Sequence, residues 1–414
     1  MKLGIFGLGI TGLVNYATYW NHRDSVVAYE NNPEKVEAIS RHPNSTWEAS
    51  LRKIISKTKS HKSLTAKAED LKDTNVFFFC EEPVYQPDGS LDMSTLEEDL
   101  AIAQTYRNKD DVYFVLRTLL PLGYTAALRA KLPTSIHLVV EPSFLSDLPY
   151  AEEMNPDRII LGVNRQEDAA FITSLRKREI QNHGIPVYEM DYASAELAPY
   201  VSLSFLRAKQ SYANEVAMLC ERYGGDVAKV LPSLGSDHRI GHSLLRVNPG
   251  YGNDGTNQAL TAFESQSQFA PVASTFKANQ SRIDTFLERI RTSLGNLSGK
   301  TIAIAGWPAM NGNAKDAIAW PYVKRLLEEG ATITVYEPRE TRVEDASLGV
   351  TWAATFRDAL AHADALLILA PEDCFKQLPE ERLLLAMPGR WIFDGYDLYR
   401  QGYFREFRYV AVGH

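Results

Sequence analysis

Five short apolar runs in the first 140 or so residues, most of them separated by helical patterns, leave few folds open to this chain. They are "KLGIFG" (2–7), "SVVAYE" (25–30), "TNVFFFC" (74–80), "DVYFVLR" (111–117) and "SIHLVVE" (135–141). Each is too short for a helix and rich in β-branched or aromatic residues, so each reads as a buried strand. Between them, "NPEKVEAISR" (32–41) and "STLEEDLAIAQTYR" (94–107) carry helical periodicity. Near-continuous apolar strands alternating with helices predict a parallel sheet covered on both faces.

The pattern then changes and returns. Residues 193–223, "ASAELAPYVSLSFLRAKQSYANEVAMLCERY", predict one long helix, which Pro199 should kink or start. A second helical region spans about 256–296. Strand–helix alternation restarts at "GKTIAIAGW" (299–307) and continues through "AWPYVKRLLEEG", "ATITVYEPRE" (331–340), "ADALLILAP" (363–371) and "GRWIFDGY" (389–396). The expected fold is α/β, with two doubly wound Rossmann-like domains joined by a long central helix. Its expected divisions are 1–192, 193–297 and 298–414, and 414 residues suffice for that many cores.

The glycines of "IFGLGITGLV" give the first domain a ligand. Gly7, Gly9 and Gly12 have G-x-G-x-x-G spacing, follow a strand and open a helix, and Glu30 ends the next strand 18 residues past Gly12. Gly7 permits the tight turn, Gly9 lets backbone approach a pyrophosphate, and Gly12 allows close helix–strand packing. Ile10 and Thr11 lie in the same turn, where the helix N-terminus favours phosphate. Glu30 can accept the adenosine ribose hydroxyls and would repel a 2′-phosphate, so the expected cofactor is NAD.

Composition closes other routes. The net charge of −8 and pI near 5.7 argue against a sequence-independent nucleic-acid binder. Cys80, Cys220 and Cys374 are far apart, odd in number and without metal spacing, so neither a disulfide framework nor a metal site is expected. No apolar run has membrane-spanning length. The opening "MKLGIFG" imitates a signal peptide only until its glycines are counted, and a cytoplasmic location is expected.

Ordered segments along nearly the whole chain resemble the UDP-glucose/GDP-mannose dehydrogenase family. "KLGIFGLGITGLV" and "VVAYENNPEKVEAIS", with Lys35 after the acidic residue, are similar to its cofactor-domain opening. "PDGSLDMSTLEEDLA" and "RTLLPLGYTAAL", with Thr118 at the threonine position, resemble its next segments. "EPSFL", holding Phe144 and Leu145, resembles Asn-Pro-Glu-Phe-Leu, and "DHRIG" with "NPGYG" resembles the loop over the sugar nucleotide. "GKTIAIAGW", "VYEPRE" and "IFDGYDLY" are similar to its UDP-binding domain.

The resemblance implies NAD, a nucleotide-sugar substrate, a homodimer built on the central helix, and a four-electron oxidation through a cysteine-bound thioester. The catalytic positions depart from it. Gly255 stands at the cysteine, Ala259 at an aspartate, Pro199 and Leu203 at the lysine and asparagine, and Ser143 at a glutamate. "MNGNAKDAIAW" lacks the family's arginine. Binding residues persist: Gly250, Tyr251 and Gly252 in the loop, Lys209 and Asn214 on the central helix, and Arg239, implied to reach a nucleotide sugar across a dimer interface. Tyr251, flanked by glycines, is expected to wall the ligand.

Two-electron hydride transfer requires a base near the carbinol. His242 and Asp254 bracket the loop and are the leading candidates. His238, Glu141 and Glu82, which replaces a cofactor-site threonine, are further ones. The expected activity is an NAD-dependent oxidation of a nucleotide-sugar CH–OH group that stops after two electrons. The alternative is a silent relative that only binds NAD or a sugar nucleotide.

Overall fold

A computed structural model describes residues 1–20, 25–41, 63–144, 156–309, 313–339, 344–399 and 402–414. They form two compact units, Met1–Ser202 with Ala259–Ser267, and Leu203–Gln258 with Gln268–His414.

The first unit is built on an eight-stranded sheet. Its centre is β1 (Lys2–Phe6), flanked by β2 (Ser25–Tyr29) and β4 (Val76–Phe79), with β3 (Leu64–Thr65) beyond β2. On the other side follow β7 (Val112–Leu116), β8 (Ile136–Val140), β9 (Ile159–Gly162) and β10 (Val187–Met190). The order β3-β2-β1-β4-β7-β8, all parallel, is that of a doubly wound dinucleotide fold, with its crossover reversal between β1 and β4. Both faces of β4 are covered, so Val76, Phe77, Phe78 and Phe79 are all fully buried, and "TNVFFFC" shows no alternation. Phe6 stacks on Phe79 with centroids 5.1 Å apart, and each such side chain contributes about 1.5–3 kcal/mol by leaving water.

Helices α1 (Ile10–Trp20), α2 (Pro33–Arg41), α3 (Ser94–Tyr106) and α4 (Tyr124–Lys131) make the crossovers. Buried Glu196 accepts hydrogen bonds from the Gly123 and Thr125 N–H groups, both at 2.7 Å, and so satisfies the start of α4. Gln166–Leu175 (α5) and Lys177–His183 (α6) follow β9. The two-residue strands β5 (Val84–Tyr85) and β6 (Leu91–Asp92) pair as an antiparallel hairpin.

The second unit carries a six-stranded, wholly parallel sheet in the order β13-β12-β11-β14-β15-β16. Its strands are β11 (Thr301–Ala305), β12 (Thr332–Tyr336), β13 (Thr351–Trp352), β14 (Ala365–Ile368), β15 (Trp391–Asp394) and β16 (Arg408–Ala411). This order repeats the first unit's winding. The sequence-based expectation of two doubly wound domains therefore holds.

The helical middle is one helix, α7 (Tyr192–Tyr223), followed by α8 (Val227–Gly235), α9 (Gly255–Ser267) and α10 (Ala270–Leu294). Pro199 lies inside α7 and does not start it. The region expected as 256–296 is two helices, parted where Gln268 takes a positive φ of 52°. The expected three-part division at 192 and 297 does not coincide with the compact units. The start of α7 and most of α9 pack in the first, where Tyr200 stacks on Phe263 at 4.9 Å. Ala213, Ala217 and Cys220 of α7 join the second unit's core with Phe286 and Tyr322.

Candidate functional site

In the first unit, β1 ends at Gly7, whose φ of 83° turns the chain towards α1. Its N–H donates to the Tyr29 carbonyl at 3.1 Å, fixing the loop to β2. A Cβ on Gly12 would stand 1.8 Å from the Gly7 carbonyl oxygen, so only glycine fits there. Glu30, buried at the end of β2, accepts the Leu8 N–H at 3.3 Å and lies 2.7 Å from the Lys35 ammonium. These features fit a dinucleotide: a glycine turn, a helix N-terminus and a carboxylate at the ribose position. Thr11 lies 3.5 Å from Ser143, hydroxyl to hydroxyl, and Thr118 is buried just past β7.

Sequence reading named Glu82 at the cofactor site but missed Glu81 and Asp99 beside it. Glu81 and Glu82, just past β4, lie against Gly7 and Gly9 respectively. Glu81 hydrogen-bonds Asp99 of α3. Burial, and next the Glu81 charge, push the Asp99 carboxyl up to about 9, while burial also raises Glu81. The folded chain thus holds a proton that the unfolded chain releases near the ordinary 3.8, and stability falls as pH rises from about 4 to about 9. Asp99→Asn should raise the melting temperature near pH ~8 and leave it almost unchanged near pH ~4. An equal gain at both pH values would show that no such proton is held.

Deeper still, Arg117, Glu141 and Arg176 form a buried ion network. Glu141 pairs with Arg176 and lies 3.6 Å from Arg117, which also donates to Asn15. Glu141, a possible base by sequence, is instead engaged by two guanidinium groups of that network. The only sequence signal for Arg117 is an arginine closing an otherwise apolar strand. Phe144 lies under the Arg158 guanidinium, 4.2 Å from its ring centroid. Leu145 lies outside the described residues.

In the second unit the loop before α9 is tied down from several sides. Asn214, nearly fully buried, exchanges hydrogen bonds with the side chain and backbone N–H of Asn248 at 2.9 and 3.0 Å. Gly250 has a φ of 109°, and a Cβ on Gly252 would stand 2.1 Å from the Asp316 carbonyl oxygen. Asn279 holds Tyr251 by its backbone N–H and carbonyl, both at 2.9 Å. The Tyr251 ring is 7% exposed, with its hydroxyl 3.0 Å from Ser211 and donating to the Thr275 carbonyl at 3.1 Å. Within this unit it is packed core, and the flanking glycines serve the backbone turn.

Asp254 caps α9, accepting the Asn257 N–H at 2.9 Å, and pairs with Arg207 of α7. Arg207 is buried, with its guanidinium 4.6 Å from the Tyr251 centroid. It lies one turn past Leu203 and two past Pro199, on the same face of α7. Gly255 is the first residue of α9. His242 is exposed, its ring against Gly235 of α8, and no hydrogen bond joins it to Asp254 among the described residues. Lys209 donates to the Ile240 carbonyl at 3.2 Å. Arg239 is 77% exposed and clasps Asp237 of its own turn, and His238 is exposed beside it.

None of the cysteines stands in for the missing thiol. Cys80 is fully buried and accepts from Asn15 at 3.6 Å, Cys220 is buried on α7, and Cys374 is exposed. Burial, then nearby carboxylates, push the Cys220 and Cys374 thiols up, away from the thiolate form. Among the described residues no cluster of His, Cys, Asp or Glu could hold a metal, and no helix is long and apolar enough to cross a membrane.

Three stretches match three domains of one family, UDP-glucose/GDP-mannose dehydrogenase: its NAD binding domain at residues 1–180, its central domain at 193–281 and its UDP binding domain at 311–401. The chain is 25% identical over 418 residues to UDP-glucose 6-dehydrogenase YwqF of Bacillus subtilis, covering 96% of this chain and 94% of that protein. It is 26% identical over 354 residues to a UDP-glucose 6-dehydrogenase of Rickettsia bellii, covering 82% and 81%. Its fold matches a UDP-glucose dehydrogenase from Pyrobaculum islandicum with a TM-score of 0.85 at 24% identity, over 100% of this chain and 97% of that one. It also matches a UDP-D-ManNAc dehydrogenase from Pyrococcus horikoshii with a TM-score of 0.85 at 19% identity, over 100% and 99%.

Proposed function

The chain belongs to the UDP-glucose/GDP-mannose dehydrogenase family, and from that premise we propose a two-electron, NAD-dependent oxidation of a nucleotide-sugar CH–OH group to the carbonyl. The observation that carries the two-electron reading is Gly255 at the head of α9, where the resemblance places a nucleophilic cysteine. Thioester chemistry needs a thiolate, and no cysteine of this chain is set up as one. The alternative of a silent binder has no support among the relatives, which are dehydrogenases matched over 96% and 82% of this chain.

Gly7, Gly9, Gly12 and Glu30 would hold the cofactor, whose chemistry is to accept a hydride. The carbinol O–H proton must pass to a base as the carbonyl forms. Asp254 is committed to Arg207 and to the start of α9, so we assign it to positioning the loop and assign the base to His242. Gly250, Gly252 and the fixed Asn248 would present loop backbone to a nucleotide sugar, with Asn214 securing the turn behind it and Lys209 holding the Ile240 carbonyl.

A panel of UDP-, GDP- and dTDP-sugars, followed by NADH absorbance, tests the reading. Turnover of at least one is expected, and His242→Gln should lose it while still binding NAD. Failure of every sugar would contradict the activity; full turnover by the variant would contradict the base.

We also propose a homodimer through α7 in the cytoplasm. Val201, Phe205, Tyr212 and Tyr223 of α7 are exposed, an apolar stripe larger than a solvated helix face requires. A monomer in sedimentation at micromolar concentration would contradict the dimer. Fractionation outside the cytoplasm would contradict the location.

A further inference from the structure

Gly9 has its usual meaning only if its open side faces a diphosphate. In this fold that side is covered by a carboxylate. A Cβ on Gly9 would meet the Glu82 side chain first, at 2.6 Å from Oε1 and 2.7 Å from Cγ and Cδ. The same Oε1 accepts the Ile10 N–H at 3.4 Å, at the N-terminus of α1. Both features that a dinucleotide diphosphate uses, the bare glycine and the first helical N–H, are therefore engaged by Glu82. The cause is sheet register. Phe6 of β1 pairs with Phe79 of β4, so the third residue beyond each, Gly9 and Glu82, run out side by side.

We propose that Glu82 is a built-in anion that competes with the cofactor's diphosphate and so sets the affinity for NAD. It rests on the reading of the glycine loop as the NAD site. A diphosphate entering the loop must displace the carboxylate from Ile10 and then lie beside it, and like charges at such range repel. Glu82 is exposed, so it has solvent to move into. Glu81, its neighbour, has no such freedom, being turned inward onto Asp99. The Lys35 ammonium, paired with Glu30, sits at the ribose end of the site and does not neutralise Glu82 directly.

The test is calorimetric titration of the full chain and its Glu82→Gln and Glu82→Ala variants with NAD, ADP and adenosine. Removing the charge should tighten NAD and ADP about tenfold and leave adenosine, which has no diphosphate, unchanged. Added salt should narrow the gap between wild type and variants, because it screens the repulsion. A merely structural Glu82 would change all three ligands alike and would show no salt effect. Unchanged or weaker NAD binding by both variants would overturn the inference, and would mean that Glu82 is neutral to the cofactor or grips it. No NAD or ADP binding by any of the three folded chains would overturn the NAD reading itself, and the inference with it.

Discussion

Gly12→Ala should abolish measurable NAD binding, with affinity falling about a hundredfold or more, which corresponds to ~2.7 kcal/mol. The added methyl would lie 1.8 Å from the Gly7 carbonyl oxygen, a backbone atom that cannot step aside alone. Either α1 moves away from β1 or the Gly7 turn opens, and both destroy the alignment of loop N–H groups with a diphosphate. Overpacking of this kind also costs about 1–3 kcal/mol of stability, so binding must be read at a temperature where circular dichroism shows the variant folded. Gly9→Ala is the control. Its methyl meets only the movable end of Glu82 among its nearest neighbours, so the fold should tolerate it. Normal NAD affinity in folded Gly12→Ala would remove the glycine loop from the cofactor site.

Arg207→Ala should lower the melting temperature of the chain by about 6–12 °C, from a loss of ~3 kcal/mol. The side chain is buried, pairs with Asp254, covers the Tyr251 ring and donates to Gln210 at 2.9 Å. Its removal leaves a partly buried carboxylate without its cation and a gap over the ring. Asp254 retains its capping bonds to α9 and some solvent, which places the loss at the low end for a broken buried pair. Arg207→Met, which refills the space, combined with Asp254→Asn, which removes the charge and keeps a cap, should recover most of it. An unchanged melting temperature in Arg207→Ala, with turnover lost, would instead make Arg207 a substrate contact.

The fold was legible wherever burial wrote itself into a short run of sequence. "TNVFFFC" declares a strand buried on both faces, and the glycine spacing declares the turn after β1. The short strands β9, β10, β13 and β16 were not, because two to four residues such as "IILG" carry too little pattern. The break between α9 and α10 also escaped, although Pro271 in the first turn of α10 marks it, because the left-handed residue is Gln268 and not a glycine.

The site was legible only along the chain and not across it. Gly7, Gly9, Gly12 and Glu30 are a local motif. Glu82 over Gly9, or Arg117 beside Glu141, exists only because β1 neighbours β4 and β7 neighbours β8. Tyr251 was legible only in part. Its glycine neighbours suggested an open loop, while its own hydroxyl partners, on α7 and α10, lie far away in sequence.

The central claim is that the chemistry stops after two electrons, and the most direct measurement is the number of NADH formed per nucleotide sugar consumed to completion. With Gly255 in place of a nucleophile and no activated thiol, the prediction is one NADH and a carbonyl product that reacts with hydroxylamine. Two NADH per sugar, with a carboxylate product, would contradict it.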